Sequence, residues 1–323
     1  MADLADLSTP AVAPALSCDR AIFTSIPSPT GEGYRLVAWS AGVRPEERQE
    51  LTRRAPSHGA LSGNADPQRG VVLMRLASTG RYVAGLVRVS GAEHTQRGGG
   101  RVWTDLLVAD AFDAMRAGLH PQELRTALAG AEPPKKPLGS APLARLEAAP
   151  CGSGAPLAAS PRAVAIAAGI AALLYDGRPS VVAAGPAPLD VLEDALRMLP
   201  PAARGGIEAA GALRFSPVRG VKVTITDRIE QDTVRVTRGQ GIESIDLATK
   251  TPPADGPLAP WLALMARWWN EGRGTEAVAL CDRLGDGWDT GGILAVAGVA
   301  EAIDRGEEKP EALEALLSGR DAA

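Results

Sequence analysis

Long apolar runs, paired cysteines and aromatic side chains are all scarce in this chain. Its longest apolar stretch, 163–175, is 13 residues, six of them alanine, short of the roughly 18–20 that a membrane helix requires. It reads as a buried core helix, and no membrane insertion is expected. Asp3 and Asp6 precede any apolar run, where a secretory leader needs a basic start and an apolar centre, so a cytoplasmic location is expected. The three cysteines, Cys18, Cys151 and Cys281, are odd in number and more than 100 residues apart. That spacing supports neither a disulfide framework nor a zinc site. Aromatics make up 4% of the sequence, so its cores must be built from Leu, Val and Ala.

Lysine is absent before Lys135, which makes the basic character of the first third purely arginine. From Arg35 to Arg101 there are 11 Arg against five acidic residues, whereas from Glu271 to Ala323 there are 12 acidic residues against five basic ones. Two readings stay open: a basic face that meets an acidic partner or phosphate, or two solvated surfaces. Planar guanidinium groups suit bidentate contacts to carboxylate or phosphate. Nucleic acid is not expected, because Tyr34, Trp39, Tyr82 and Trp103 lie in apolar strand patterns rather than on an exposed stacking platform.

At 323 residues the chain has room for two or three domains at roughly 100–200 residues each. The fold class expected is α+β. Residues 1–17 lack periodicity and are left outside the fold. An N-terminal domain, 18–130, is built on an antiparallel sheet: strands at 21–26 and 34–39, a short and mostly solvent-facing helix opening at Pro45, a hairpin of 71–76 and 81–89, and a strand at 101–109. Gly80 supplies the left-handed angle of that hairpin turn. Helical segments at 110–117 and 121–129 follow. The Pro/Ala/Gly/Ser-rich stretch 131–160 has linker composition. Next comes a small α/β middle domain, 161–249, with helices at 161–174 and 189–199. Its strands are expected at 180–184, 212–216 and 221–226, with weaker ones at 233–236 and 244–247. A helical C-terminal region, 250–323, carries four helices.

The loop from Gly91 to Arg101 is the most distinctive candidate site. Backbone amides of Gly98, Gly99 and Gly100, flanked by Arg97 and Arg101, suit an anion, but a strand rather than a helix follows, as in many ordinary hairpin loops. Glu93 and His94 form half of a possible acid–base pair, and Ser57-His58 offers a second histidine beside a hydroxyl; catalysis requires them to meet through the fold. Thr249-Lys250-Thr251 lacks the glycines of a phosphate loop, so the chain is not expected to hydrolyse GTP. Trp261 and Trp268, two turns apart, share a helix face. Core packing and an exposed aromatic anchor for a partner are the alternatives.

Several segments in order, namely 21–25, Gly33 to Val43, Pro56-Ser57-His58, Gly80-Arg81-Tyr82 and Gly98 to Leu106, resemble the bacterial GTPase-associated protein family, N-terminal domain type 2. Val181-Val182, 199–204 and Leu213-Arg214-Phe215-Ser216 are similar to that family's middle domain. The resemblance implies an accessory protein in a conflict or regulatory system that contains a separate small GTPase. Members often carry His where this chain has Asp105 and an aromatic where it has His94, which argues against carrying over a catalytic role. The function expected is a non-enzymatic adaptor docking a small GTPase or another system protein, without cofactor or metal. The alternative is a hydrolase or transferase using Glu93, His94 or His58, with Arg97 and Arg101 steadying an anionic substrate.

Overall fold

Apolar residues alternating through 16–109 produce five strands that pair antiparallel: β1 (Leu16–Ile26), β2 (Gly33–Trp39), β3 (Arg69–Arg75), β4 (Tyr82–Ala92) and β5 (Gly100–Ala109). A computed structural model describes residues 16–26, 33–62, 69–92, 100–111, 113–114, 128, 143–148, 160–285 and 287–321. The helical segments expected at 110–117 and 121–129 lie largely outside these residues, as do 1–15 and most of 131–160. A short strand, β6 (Leu146–Ala148), pairs with the first residues of β1.

The second half of the chain adds β7 (Ser180–Ala183), β8 (Ala209–Gly211), β9 (Val223–Thr226) and β10 (Glu243–Asp246), mutually parallel. All join one mixed sheet in the order β10-β7-β9-β8-β3-β4-β5-β1-β2. Its two halves meet where β3 and β8 run antiparallel, Val71 opposite Gly211 and Leu73 opposite Ala209. Ala209-Ala210-Gly211 has little β-propensity, and pairing with β3 on one side and β9 on the other holds it extended. This is why the strand expected at 212–216 instead ends at Gly211.

One side of the antiparallel half is covered by α1 (Pro45–Arg54), which opens with a capping box: the Glu47 carboxylate accepts the Arg44 N–H at 2.8 Å. Its inward face is Glu47, Glu50 and Leu51, all buried, while its remaining residues are exposed or half-buried, as expected of a short helix that mostly faces solvent. Burying Leu51 contributes about 2 kcal/mol, and charge-assisted hydrogen bonds of about 1.5–3 kcal/mol each supply the rest. Glu50 accepts from the Ala77 and Ser78 N–H groups at 2.9 and 3.0 Å and from the Ser78 hydroxyl at 2.8 Å. Those donors belong to the β3–β4 turn, which Gly80 closes at φ +73°.

The opposite side is packed by α2 (Pro161–Asp176), α3 (Pro188–Arg197) and the short α4 (Pro201–Arg204). Ser160 caps α2 by accepting the Ala163 N–H, and Gly177 in left-handed conformation closes it, as Pro at the start and Gly past the end predict. The segment expected as a weak strand at 233–236 is helical, α5 (Gln231–Gly239). Parallel β9 and β10 require a crossover, and that constraint overrides the β-branched preference of Thr233, Val234 and Val236. The four C-terminal helices are α6 (Ala259–Asn270), α7 (Gly274–Arg283), α8 (Thr290–Asp304) and α9 (Pro310–Asp321). They extend the same core, with α6 against α2. No helix among the described residues is long and apolar enough to cross a membrane.

Candidate functional site: an arginine-lined cleft

After α1 the chain runs through Ala55 to Ala60 and then lies against 212–214. The Ser62 N–H donates to the Ala212 carbonyl at 3.0 Å and the Arg214 N–H to the Ala60 carbonyl at 2.8 Å, with Leu61 opposite Leu213. Between these walls and the turn Pro217–Arg219 opens a cleft of about 420 Å³. Arg53, Arg54, Arg214 and Arg219 line it together with Ser57, His58, Phe215, Ser216 and Val218. Among the described residues no carboxylate lines it.

Arg54 is the fixed point. It donates to Glu50 at 2.6 Å, to the Arg75 carbonyl at 2.7 Å and, through Nε, to the Arg219 carbonyl at 2.8 Å. It thereby ties helix, hairpin and turn together. Burial alone would raise the Glu50 carboxyl pKa; the Ala77 and Ser78 N–H groups, the Ser78 hydroxyl and Arg54 outweigh that and hold it at about 2. Arg214 has a weaker partner in Glu230 at 3.6 Å.

Of the residues singled out from sequence, His58 lies half-buried in this cleft. Arg101 stands elsewhere, its Nε donating to the Ser90 carbonyl at 2.8 Å across β4 and β5. Glu93, His94, Arg97, Gly98 and Gly99 lie outside the described residues. Trp261 and Trp268 are fully buried. Their ring N–H groups donate to the Met198 carbonyl at 2.8 Å and to Asp304 at 2.6 Å. The aromatic-anchor alternative is therefore corrected in favour of core packing, since neither ring presents surface to a partner. Sequence reasoning missed Arg53 and Arg219, because nothing in Ser216-Pro217-Val218-Arg219-Gly220 distinguishes a buried arginine from one on an ordinary turn. Among the described residues no cluster of His, Cys, Asp and Glu could hold a metal. Burial raises the Cys18 thiol to about 12 and the Cys281 thiol higher still.

A second cleft, about 620 Å³, sits at the carboxyl ends of β7, β9 and β10, where parallel sheets gather ligands. Its Arg162 is spent on the Leu247 and Ala248 carbonyls at 2.7 and 2.9 Å, and Asp246 accepts the Ala248 N–H at 2.9 Å.

Residues 17–148, which carry β1 to β6 and α1, match the family described as GTPase-associated protein 1, N-terminal domain type 2. Neither a curated protein nor a solved structure matches the chain. The GTPase-associated domain thus supplies one wall of the arginine cleft, 53–60, and the residues beyond it supply the other, 214–219. Position 105, where the resemblance implies His, holds a fully buried Asp in this domain. It accepts from Arg20 at 2.7 and 3.0 Å, from Arg88 at 3.4 Å and from the Trp103 ring N–H at 3.2 Å. A second buried tie joins Asp19 to Arg81 at 2.7 Å and to the Ser40 hydroxyl at 2.8 Å.

Proposed function

We propose that this chain is a non-enzymatic interaction component of a GTPase-linked system, docking a small GTPase or another protein of that system. The observation that carries the reading is the match of 17–148 to the GTPase-associated domain. The use of charge in that domain supports it. Asp19, Glu47, Glu50 and Asp105 each receive an arginine guanidinium, so they act as ties between strands, helix and hairpin. A rigid platform of this kind suits docking, because little ordering entropy remains to be lost on association.

The test is capture from native lysate on the purified full chain, with GDP or a non-hydrolysable GTP analogue added, and identification of bound proteins by mass spectrometry. The expected result is a small GTPase enriched in one nucleotide state. Recovery of no GTP-binding protein in either state, together with substrate turnover by the purified chain, overturns the reading.

A further inference from the structure

Arg219 is 4% exposed, and a buried cation ordinarily has an acidic partner or a full set of hydrogen bonds. Arg219 has neither. Its Nη1 donates to the Arg214 carbonyl at 2.9 Å, its Nε is buried without any partner, and no carboxylate pairs with it among the described residues. Burial lowers its pKa to about 10, so the group keeps its charge at neutral pH. On the facing wall Arg53 is exposed and makes no ion pair among the described residues, and the Ser57 and Ser216 hydroxyls are likewise unengaged.

We propose that this cleft binds the phosphate group of a small molecule, with Arg219 and Arg53 as the charged donors and Ser57 and Ser216 as neutral ones. The charge balance favours an anion. Arg54 is neutralised by Glu50 and Glu208, and Arg214 in part by Glu230, which leaves two guanidinium charges. Against them stands the C-terminal end of α1, worth about half a negative charge. An orphaned buried donor calls for an ion or water at the site, and planar guanidinium groups match phosphate oxygens in pairs. Arg54 fixes the geometry before any ligand arrives, since its bond to the Arg219 carbonyl holds the turn against α1. The volume of about 420 Å³ exceeds what one phosphate fills and lies in the range of small-molecule sites. Phe215 and Val218 give the remainder an apolar wall, so a phosphate ester with a flat or apolar organic group fits as well as inorganic phosphate.

Isothermal titration calorimetry on the full chain tests the proposal with three titrants: inorganic phosphate, guanosine 5′-monophosphate and unphosphorylated guanosine. Saturable binding of the phosphate-bearing titrants, absent for guanosine, is expected. Monophosphate binding at least tenfold tighter than inorganic phosphate assigns the site to an ester, and equal affinity assigns it to free phosphate. Arg219→Met and Arg53→Gln are each expected to weaken binding about tenfold, the loss of one charge-assisted contact. Arg53 is solvent-exposed, so its substitution keeps the test decisive if Arg219→Met fails to fold. The proposal is overturned if neither phosphate-bearing titrant binds, or if Arg53→Gln binds within twofold of the parent chain. Because the purified chain is titrated alone, failure here leaves GTPase docking intact, and failure of the lysate capture leaves this site intact.

Discussion

Asp105 grips Arg20 through both carboxylate oxygens, at 2.7 and 3.0 Å, across the β1–β5 pairing. Arg20 keeps 13% side-chain exposure while Asp105 has none. The geometry is the bidentate fork that makes arginine–carboxylate pairs specific in register as well as strong.

Removing one member of such a pair strands the other charge in a poorly solvated place. Asp105→Ala is expected to destabilise the fold by about 3–5 kcal/mol, read as a lower urea midpoint. Replacing both Arg20 and Asp105 by leucine should cost markedly less than Asp105→Ala. A double variant as unstable as the single one would assign the loss to Arg88 and the Trp103 ring N–H, which Asp105 also serves.

Glu50 makes stability depend on acidity. Its folded pKa of about 2 lies below the ordinary 4.5, so its contribution is fully present above pH 4.5 and is lost as pH falls toward 2. At 1.36 kcal/mol per pH unit the contribution reaches up to about 3 kcal/mol. Asp19 adds to the same limb: burial would raise its pKa, but Arg81 and Ser40 outweigh that and lower it. Glu50→Gln should flatten the loss of denaturation midpoint between pH 4.5 and 2 while lowering stability at pH 7. An unchanged acid slope would assign the acid sensitivity to other carboxylates.

Gly169 sits mid-helix in α2, where a β-carbon would lie 2.1 Å from the Pro252 carbonyl oxygen. Alanine gains up to about 1 kcal/mol of helix propensity, but overpacking against a backbone atom costs about 1–3 kcal/mol. Gly169→Ala is therefore expected to lower stability despite improving the isolated helix. A rise in melting temperature would mean that the 252 segment yields freely.

Ala212 is the opposite case, a non-glycine residue at φ +55°. Its N–H donates to the Ile225 carbonyl at 2.9 Å and its carbonyl accepts from Ser62, so the ladder on both sides imposes the conformation. Left-handed backbone costs an L-residue about 1–2 kcal/mol, partly offset by the extra freedom glycine gains when unfolded. Ala212→Gly should raise stability by about 0.5–1 kcal/mol, measured by chemical denaturation. A loss of stability would show that the β-carbon packs usefully.

What local pattern determines was legible in the sequence. The hairpin closed by Gly80, the helix α2 and the four C-terminal helices all follow from apolar period and chain punctuation. Sites set by distant partners were not. Ala209-Ala210-Gly211 is extended only because two strands flank it, and α5 is helical only because parallel strands need a crossover. Glu47 and Glu50 look like surface residues until the hairpin turn supplies their donors. The cleft was half visible: His58 could be singled out by type, whereas the isolation of Arg219 depends on how 53–60 and 214–219 meet, more than 150 residues apart in sequence.

The antiparallel seam between β3 and β8 binds the two halves of the sheet mechanically. Cut free at residue 148, the GTPase-associated segment would carry β3 as an open border, with the row of amides opposite Ala209 to Gly211 offered to any passing strand. Expressed alone it should oligomerise through that border.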